Sequence, residues 1–424
     1  MAKRHMNQAG DLESLFLRLE ELVLANSGED DFEEVFKLLI AKLWDERRCV
    51  GLFRVHSHEV ETTNAIAALL KQADKAWPGI LEETRPRLTP EHLAVCVEAL
   101  SKHTISDEGL EVMDSFFEFM VAKTAKGAKG QYFTPRHVVE LCVQMLRPKP
   151  TDIVLDPACG SGGFLVHTMN YIRPTLCSDK LEEYCRTNIW GFDIDGRAVR
   201  VAKALMLLAG DGSANILRLN SLLRPSMSGL FSDEESVLTI EDVCRSRMRR
   251  HKGFDIILTN PPFAGEVRER QVLESYGLSS KKPRIERDVL FVERCVELLR
   301  PGGRMAIVLP HNKFASGSFG YLREWLLRKA RILAVVSLGR NTFLPHTHQK
   351  ASVLFLQKYE ETGGADADYN IFFGISERDG KNSKGQFILR DRPPRSLWDQ
   401  VDHDLGEIAD HFNEFCRKEH LLEV

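Results

Sequence analysis

One short segment constrains the fold more than any other: an apolar run that ends in an acid and leads into a glycine-rich turn. Residues 153–156 (IVLD) read as a buried strand, residues 157–164 (PACGSGGF) as a tight turn, and residues 165–172 (LVHTMNYI) as an apolar helix. This order opens a doubly wound, mostly parallel α/β sheet, which binds nucleotides at the carboxyl ends of its strands. The glycine spacing differs from the dinucleotide fingerprint. The acid would repel a pyrophosphate and suits a ligand that carries an ammonium group.

A second acid follows the next apolar run. Residues 188–193 (NIWGFD) read as the second strand, and Asp193 ends it. An acid at this place in such a sheet commonly holds ribose hydroxyls. Asp195, two residues later, is predicted to cap the following helix. An ammonium-binding acid, a glycine turn and a ribose-binding acid together favour S-adenosylmethionine over NAD as the cofactor.

A third apolar run, residues 255–259 (DIILT), ends in a carboxamide, two prolines and an aromatic ring: Asn260, Pro261, Pro262 and Phe263. A planar amine held at this corner could donate hydrogen bonds to the Asn260 side-chain oxygen and the Pro261 carbonyl. Its ring could stack on Phe263. The two acceptors would help to localise the nitrogen lone pair toward an incoming methyl group. Taken alone, the tetrapeptide is equally consistent with a turn that ends a strand.

These segments stand in a specific order. Residues 130–139 (GQYFTPRHVV), then the glycine turn, then the Asn260–Phe263 corner resemble the amino-methylating adenine-N6 DNA methyltransferases with the gamma order of motifs. More narrowly, the chain resembles the modification subunit of type I restriction–modification enzymes over about residues 12 to 400. Further matching segments are residues 299–310 (LRPGGRMAIVLP), 343–345 (FLP), 352–356 (SVLFL) and 372–380 (FFGISERDG).

The resemblance implies a fold, a cofactor and a substrate. The fold is a Rossmann-like class I methyltransferase sheet with an all-helical N-terminal domain. The cofactor is S-adenosyl-L-methionine. The substrate is adenine in double-stranded DNA, which must be flipped out of the duplex to reach such a pocket.

The resemblance also implies roles for individual residues. Asn260, Pro261, Pro262 and Phe263 would hold the flipped adenine. The residues implied to border the cofactor are Gln131, Tyr132, Phe133, Thr134, Asp156, Ala158, Gly160, Ser161, Gly162, Asp193 and Asn220. At Asn220 the family commonly has an aspartate. An amide oxygen can still accept a hydrogen bond from an amino group.

The charge of the chain bears on its partners. The net charge is −4, with 57 basic and 61 acidic residues, whereas a protein that grips DNA alone usually has a basic face. Basic residues cluster locally at 245–252, which could equally be a solvated loop, and again after the corner. The residues of this second cluster predicted to contact DNA phosphates are Arg268, Arg270, Lys281 and Lys282.

Segment lengths bear on how the DNA sequence would be read. Only a short basic loop is predicted between Phe263 and the helix near Asp288, and the tail is short. Neither has room for a target-recognition domain with its own core. We therefore expect a separate specificity subunit to read the sequence, as in type I enzymes. A second copy of the modification subunit and, optionally, a restriction subunit would complete the complex.

The chain is predicted to contain three regions. These are a helical domain at residues 1–125, the catalytic domain at 126–375, and a tail with an amphipathic helix at 376–424. The helical domain and the tail helix are the candidate docking surfaces for other subunits. Nine cysteines without framework spacing predict free thiols in a reducing cytoplasm, and Cys159 is predicted to pack rather than react. We find no membrane-length apolar run and no ligand-spaced cluster for a metal.

Two other functions stay open. A methyltransferase acting on another planar amine or amide, such as an RNA base or a protein glutamine, would use the same corner. Such enzymes generally lack the segment at 130–139 and the large helical domain. A non-catalytic subunit that only assembles a DNA-bound complex would not need an intact glycine turn and corner. Cofactor binding and methyl transfer to DNA distinguish these alternatives.

Overall fold

The computed structural model describes residues 12–21, 27–105, 110–124, 133–210, 215–225, 238–247, 253–279, 281–360, 368–390 and 400–422. The chain divides into two compact units. The first takes the chain up to Gly127 together with Arg200–Ala209, and the second takes Ala128–Val199 and Gly210–Val424. The domain limits at residues 125 and 375 stay predictions.

The first unit is helical, which confirms the predicted helical N-terminal region. Among its helices are α1 (Asp31–Arg48), α2 (Glu59–Ala76), α3 (Pro90–Ser101) and α4 (Leu110–Thr124). Asp30 caps α1 by accepting a hydrogen bond from the Glu33 amide at 3.1 Å, as short polar side chains do at helix starts. Arg200, from the separate stretch of this unit, pairs with Glu33 and lies over the ring of Phe36 at 5.7 Å.

The second unit is built on an eight-stranded sheet. Its strands are β1 (Val154–Asp156), β2 (Ile189–Asp193), β3 (Ile216–Arg218), β4 (Phe254–Thr259), β7 (Leu299–Pro310), β8 (Ala330–Ser337), β9 (Ala351–Lys358) and β10 (Phe372–Ile375). The strand order is β10-β8-β9-β7-β4-β1-β2-β3. β9 is antiparallel to β7 and β8, and the other neighbours are parallel. A separate antiparallel pair consists of β5 (Glu266–Val267) and β6 (Ile285–Glu286).

Helices alternate with these strands, as a parallel sheet requires. They are α5 (Arg136–Leu146), α6 (Gly163–Ile172), α7 (Ser178–Asn188), α8 (Gly196–Gly210), α9 (Ile240–Arg247), α10 (Arg270–Ser275), α11 (Arg287–Leu298), α12 (Asn312–Ala315), α13 (Gly320–Lys329) and α14 (Leu405–Lys418). The chain runs from β1 outward to β2 and β3, then crosses back to β4 on the other side of β1. This reversal of strand order opens a crevice at the carboxyl ends of β1 and β4, where such sheets bind ligands. The predicted doubly wound, mostly parallel fold is confirmed.

The segment between the corner and α11 differs from the predicted loop. β5 and β6 pair with each other, and α10 lies between them. We call residues 264–279 and 281–286 the arm. Val267, Val272, Leu273 and Ile285 are buried and join the core of the main sheet. The arm folds because these apolar side chains recur among its basic residues, a pattern that the charge count concealed.

The tail packs within the second unit. Helix α14 is amphipathic, as predicted, and its apolar side is already covered. The ring of Phe412 contacts Phe355 of β9 and Phe372 of β10, with ring centres 6.1 and 5.6 Å apart. Arg147 donates two hydrogen bonds to the Asn413 side-chain oxygen, at 2.6 and 3.2 Å. Docking of another subunit on α14 would therefore use its polar side.

All nine cysteines are free thiols, as predicted. Cys159 is buried, and burial raises the pKa of its thiol well above the usual range. This agrees with a packing role, because the thiolate is the nucleophilic form. Among the helices in the described ranges, none has the length and apolar character needed to cross a membrane.

Candidate active site

The glycine turn lies at the carboxyl end of β1 and leads into α6. Gly162 has a φ of +88°, a left-handed conformation that favours glycine. The guanidinium of Arg136 packs against Gly163, where it fills the space that a Cβ would occupy. Arg136 is the first residue of α5, and its Nη2 donates a hydrogen bond to Ser161 Oγ at 3.4 Å. The start of α5 is therefore packed directly on the turn.

Asp193, at the end of β2, is bonded to the same turn. Its Oδ2 accepts a hydrogen bond from the Gly160 amide and its Oδ1 from the Asp195 amide, both at 2.9 Å. Burial raises the pKa of Asp193, and these two amide donors oppose the shift. Each carboxylate oxygen keeps a second lone pair that a ribose hydroxyl could use. Asp195 caps α8 by accepting from the Arg197 amide at 2.9 Å, as predicted.

Asp156 connects the glycine turn to β4. Its Oδ1 accepts hydrogen bonds from the Ala158 amide at 3.0 Å and from Thr259 Oγ1 at 2.7 Å. Thr259 is the last residue of β4 and immediately precedes Asn260, so this bond holds the corner beside the turn. Burial raises the pKa of Asp156, which is 1% exposed, to about 7. The sequence analysis gave Thr259 no role, because a threonine at a strand end is too common to serve as a signal.

The corner itself lies at the carboxyl end of β4. Pro261 and Phe263 are buried, and Asn260 is half-buried. The Phe263 ring meets the ring of Phe343 edge-on, with centres 5.6 Å apart and planes at 63°. Phe343 is buried in the connection between β8 and β9, residues 338–350, which we call the aromatic loop. Sequence reasoning quoted Phe343 in a motif and gave it no role in the site.

The aromatic loop also reaches the predicted cofactor segment. The ring of His346 meets the ring of Phe133, with centres 6.5 Å apart. Thr134, next to Phe133, is buried. Gln131 and Tyr132, the other two predicted residues of this segment, lie outside the described residues. The structure thus brings the cofactor segment and the corner to the same loop through two separate ring contacts.

Asn220 follows β3 on the same edge of the sheet. Its Oδ1 accepts a hydrogen bond from the Leu222 amide at 3.1 Å and so closes a local turn. The next residue, Ser221, donates through Oγ to the Pro157 carbonyl at 2.6 Å, which joins this turn to the glycine turn. Asn220 is therefore near the predicted cofactor residues. Its contact with a cofactor adenine stays a prediction.

The four basic residues predicted to contact DNA lie on the arm. Arg268 and Arg270 are exposed and form ion pairs with Glu266 at 2.9 Å and Glu274 at 2.7 Å. The Lys282 ammonium lies 3.2 Å from the centre of the Tyr321 ring. Lys281 is exposed. Contact of the two arginines with phosphates would require them to exchange their carboxylate partners, so the DNA-binding role of these four residues stays a prediction.

A cavity of about 450 Å³ opens where β7 ends and β9 begins. The residues that line it are His311, Asn312, Ala315, Ser316, Gln349 and Lys350. The His311 ring is oriented by Ser352, whose Oγ lies 2.9 Å from Nδ1. None of the lining residues is acidic. Because β7 is the neighbour of β4 in the sheet, the cavity lies on the same edge as Asn260.

The donor set indicates which ligand the site suits. Within the part of the chain that the structure describes, no group of three or more His, Cys, Asp or Glu side chains could hold a metal ion. The glycine turn borders open space, since a Cβ at Gly160 would meet nothing within 4 Å. Two carboxylates are bonded to amides of this turn, Asp193 to Gly160 and Asp156 to Ala158. The arrangement fits a ligand with an ammonium group and ribose hydroxyls, as S-adenosylmethionine has.

Comparison with known proteins places this site in a family. Residues 109–424 match the family model described as N-6 DNA Methylase. The type I restriction enzyme StySPI methylase subunit of Salmonella potsdam is 28% identical over 239 residues, which is 56% of this chain and 42% of that protein. The type I restriction enzyme EcoKI methylase subunit of Escherichia coli (strain K12) is 27% identical with the same coverage. The chain thus spans less than half the length of these curated relatives.

A solved structure supports the fold. The type I restriction-modification system methyltransferase subunit from Streptococcus thermophilus superposes with a TM-score of 0.62 at 16% identity, covering 98% of this chain and 93% of that one. This likeness and the strand order agree with the expected class I methyltransferase fold with a helical N-terminal region. Since the family match covers most of the sequence, the chain belongs to the N-6 DNA methylase family.

Proposed function

We propose that this chain transfers a methyl group from S-adenosyl-L-methionine to the N6 amino group of adenine in double-stranded DNA, as the modification subunit of a type I restriction–modification complex. The hydrogen bond from Thr259 Oγ1 to Asp156 Oδ1 carries the proposal, because it holds the corner next to the glycine turn. Family membership and the relatives named above agree with this function.

The chain would hold the cofactor through the glycine turn and the strand ends around it. When bound, S-adenosylmethionine supplies a methyl group that its sulfonium already activates, so no further activation by the protein is needed. The residues that would surround it are Gln131, Tyr132, Phe133, Thr134, Asp156, Ala158, Gly160, Ser161, Gly162, Asp193 and Asn220. Asp156 attracts the ammonium group, and Asp193 accepts from ribose hydroxyls with its remaining lone pairs.

The corner would hold the flipped adenine. The Asn260 side-chain oxygen and the Pro261 carbonyl accept the two amino hydrogens, which orients the nitrogen lone pair. Phe263 offers a stacking surface, and Phe343, in edge contact with it, extends the aromatic wall. Extrusion of a base costs a few kcal/mol, and stacking on an aromatic ring returns roughly 1–3 kcal/mol. Pro262 stiffens the backbone between these groups.

Two basic surfaces would contact the DNA backbone. The arm carries Arg268, Arg270, Lys281 and Lys282, and the cavity beside β7 presents Lys350 without an acidic neighbour in its lining. Both suit phosphates, which position a duplex without reading its sequence. With a net charge of −4, the chain alone would bind DNA weakly. A specificity subunit would read the sequence, and a second modification subunit and, optionally, a restriction subunit would join in the cytoplasm.

Methyl transfer from radiolabelled S-adenosylmethionine tests the proposal. We expect label in duplex DNA when the chain is combined with its cognate specificity subunit, and little label without that subunit. Label in RNA or protein instead of DNA would support a methyltransferase acting on another amine or amide. Calorimetry that detects no cofactor binding would support a non-catalytic assembly subunit.

A further inference from the structure

A segment remote in sequence from the site holds the aromatic loop in place. Residues 376–390 and 400–403, which we call the strap, connect β10 to α14 around an undescribed stretch. The Lys381 ammonium donates a hydrogen bond to the Leu344 carbonyl at 2.7 Å. Asp379 Oδ2 accepts from the Asn341 amide at 3.1 Å. These two hydrogen bonds hold the backbone of the aromatic loop on both sides of Phe343, the residue that contacts Phe263.

The strap and the loop also approach each other closely through their backbones. A Cβ at Gly385 of the strap would lie 2.6 Å from the backbone nitrogen of Pro345. A Cβ at Gly339 of the loop would overlap the Asp379 carboxylate of the strap. The two glycines therefore let the strap pack closely against the loop.

A second contact joins the strap to α5, which begins directly after the cofactor segment. The ring of His137 in α5 stacks on the ring of His403 in the strap, with centres 5.1 Å apart and planes at 18°. Burial and the nearby His403 and Lys381 hold the pKa of His137 well below its usual range, so this ring is neutral. Phe387 joins both groups, as its ring meets His137 and lies 5.0 Å below the Lys381 ammonium.

We propose that Lys381, supported by Asp379, is a positioning residue for methyl transfer: it fixes the loop backbone at Leu344 so that Phe343 keeps its contact with Phe263. This inference rests on the proposed function of the corner. Lys381 is 8% exposed, and a buried carbonyl that loses its donor is costly. Without the ammonium, the loop would relax toward water, and the aromatic wall of the adenine pocket would move.

The central test replaces Lys381 with methionine, which keeps the apolar stem and removes the ammonium. In the complex with the specificity subunit, we expect kcat/KM for cognate DNA to fall about ten- to a hundredfold, as a small misplacement of positioning groups does. Cofactor affinity by calorimetry should change much less, because the loop touches the cofactor segment only at the edge contact of His346 with Phe133 among the contacts described above. The matched control is Lys384→Met, an exposed lysine of the same strap, which should behave as wild type. Equal kcat/KM for the two variants would overturn the proposal.

Two variants of Asp379 distinguish loss of its hydrogen bond from misfolding. Asp379→Asn keeps an oxygen that can accept from the Asn341 amide, so it should retain activity, whereas Asp379→Ala should lose it. If both variants lose activity equally, the hydrogen bond from the Asn341 amide to residue 379 does not support methyl transfer, and the proposal fails.

Hydrogen exchange separates this proposal from the proposed function. In the free chain, Lys381→Met should speed exchange of the amides of residues 341–344, 346 and 347 and leave those of β4 unchanged. This readout needs no DNA. If wild-type complex fails to methylate DNA while the loop responds as expected, the proposed function fails and the support by Lys381 stands. Unchanged exchange in the loop would overturn the role of Lys381 itself.

Discussion

The cofactor side and the base side of the candidate site are held together by different forces. On the cofactor side, backbone amides of the glycine turn bond to carboxylates at the ends of β1 and β2, as Gly160 does to Asp193. On the base side, the corner is bounded by ring contacts such as Phe263 with Phe343, and those rings depend on the strap. The hydrogen bonds of the cofactor side join segments that are neighbours in the sheet. The ring contacts of the base side form only when distant parts of the chain have packed.

Because the two sides are held differently, cofactor binding and methyl transfer should respond differently to substitutions. Cofactor affinity should depend mainly on the hydrogen bonds of the glycine turn and only weakly on the aromatic loop, which reaches the cofactor segment through the ring contact of His346 with Phe133. Methyl transfer should respond to changes on both sides. Thr259 connects the cofactor side to the base side, because its hydroxyl bonds to Asp156 and its backbone leads into Asn260. Variants on the two sides of the site should therefore give different patterns of cofactor affinity and methyl transfer.

Asn260→Ala should have the largest effect, and it should affect the base side of the site alone. Loss of an oriented acceptor at the reacting nitrogen should lower kcat by roughly 10²–10³-fold, while cofactor affinity stays nearly intact. Single-turnover methyl transfer and calorimetry measure the two quantities. Loss of both would show that the corner also supports the turn, or that the variant misfolds, which circular dichroism would reveal.

Asp193→Ala should disrupt the cofactor side of the site. We expect cofactor binding to weaken by roughly 1–3 kcal/mol, because hydroxyls and the Gly160 amide lose their acceptor. Calorimetry with S-adenosylmethionine measures this loss. The control is Asp195→Ala, which removes a helix cap and should leave cofactor affinity unchanged. The reverse pattern would assign the ribose to Asp195.

The pH dependence of cofactor binding should report Asp156. Burial raises its pKa to about 7, so below this pH the carboxyl is protonated and cannot attract an ammonium group. Affinity should therefore rise with pH through about 7, by at most about tenfold per pH unit below the pKa. In Asp156→Asn this component should vanish. A wild-type profile identical to that of the variant would exclude a direct charge contact with Asp156.

The smallest expected effect concerns the cavity beside β7. Lys350→Gln should lower the slope of log affinity for DNA against log salt by about 0.9, the loss of one phosphate contact. Fluorescence anisotropy of the assembled complex with labelled duplex measures the slope. Lys329→Gln is the control, because this exposed lysine stands at the opposite, amino edge of the sheet, before β8. Equal slopes for the two variants would exclude the cavity as a phosphate site.

The cofactor side and the base side also differ in how well the sequence predicts them. The glycine turn, Asp193 and the Asn260 corner are each readable because a strand, a turn and a polar residue follow one another locally. The bond between Thr259 and Asp156 joins residues of different strands, and no local pattern announces it. Phe343 is a visible motif residue whose role depends on tertiary packing.

The arm shows the same limit in another way. Its charged residues suggested a loop, yet Val272 and Leu273 pack into the core of the sheet and give it a helix between two paired strands. In α14 the amphipathic pattern was correct, but which surface covers its apolar side could not be read from spacing. Local periodicity predicts an element, while its partner is decided by the packing of the whole unit.

A structure of the assembled complex with the cofactor analogue sinefungin and cognate duplex would show whether an adenine reaches the cofactor. We expect the analogue on the glycine turn at residues 157–163 and an extruded adenine at the corner. The N6 nitrogen of that adenine should lie within hydrogen-bond distance of the Asn260 oxygen and face the amine of the analogue, which stands in place of the transferred methyl group. An adenine left in the duplex, or bound away from the corner, would contradict the proposed function.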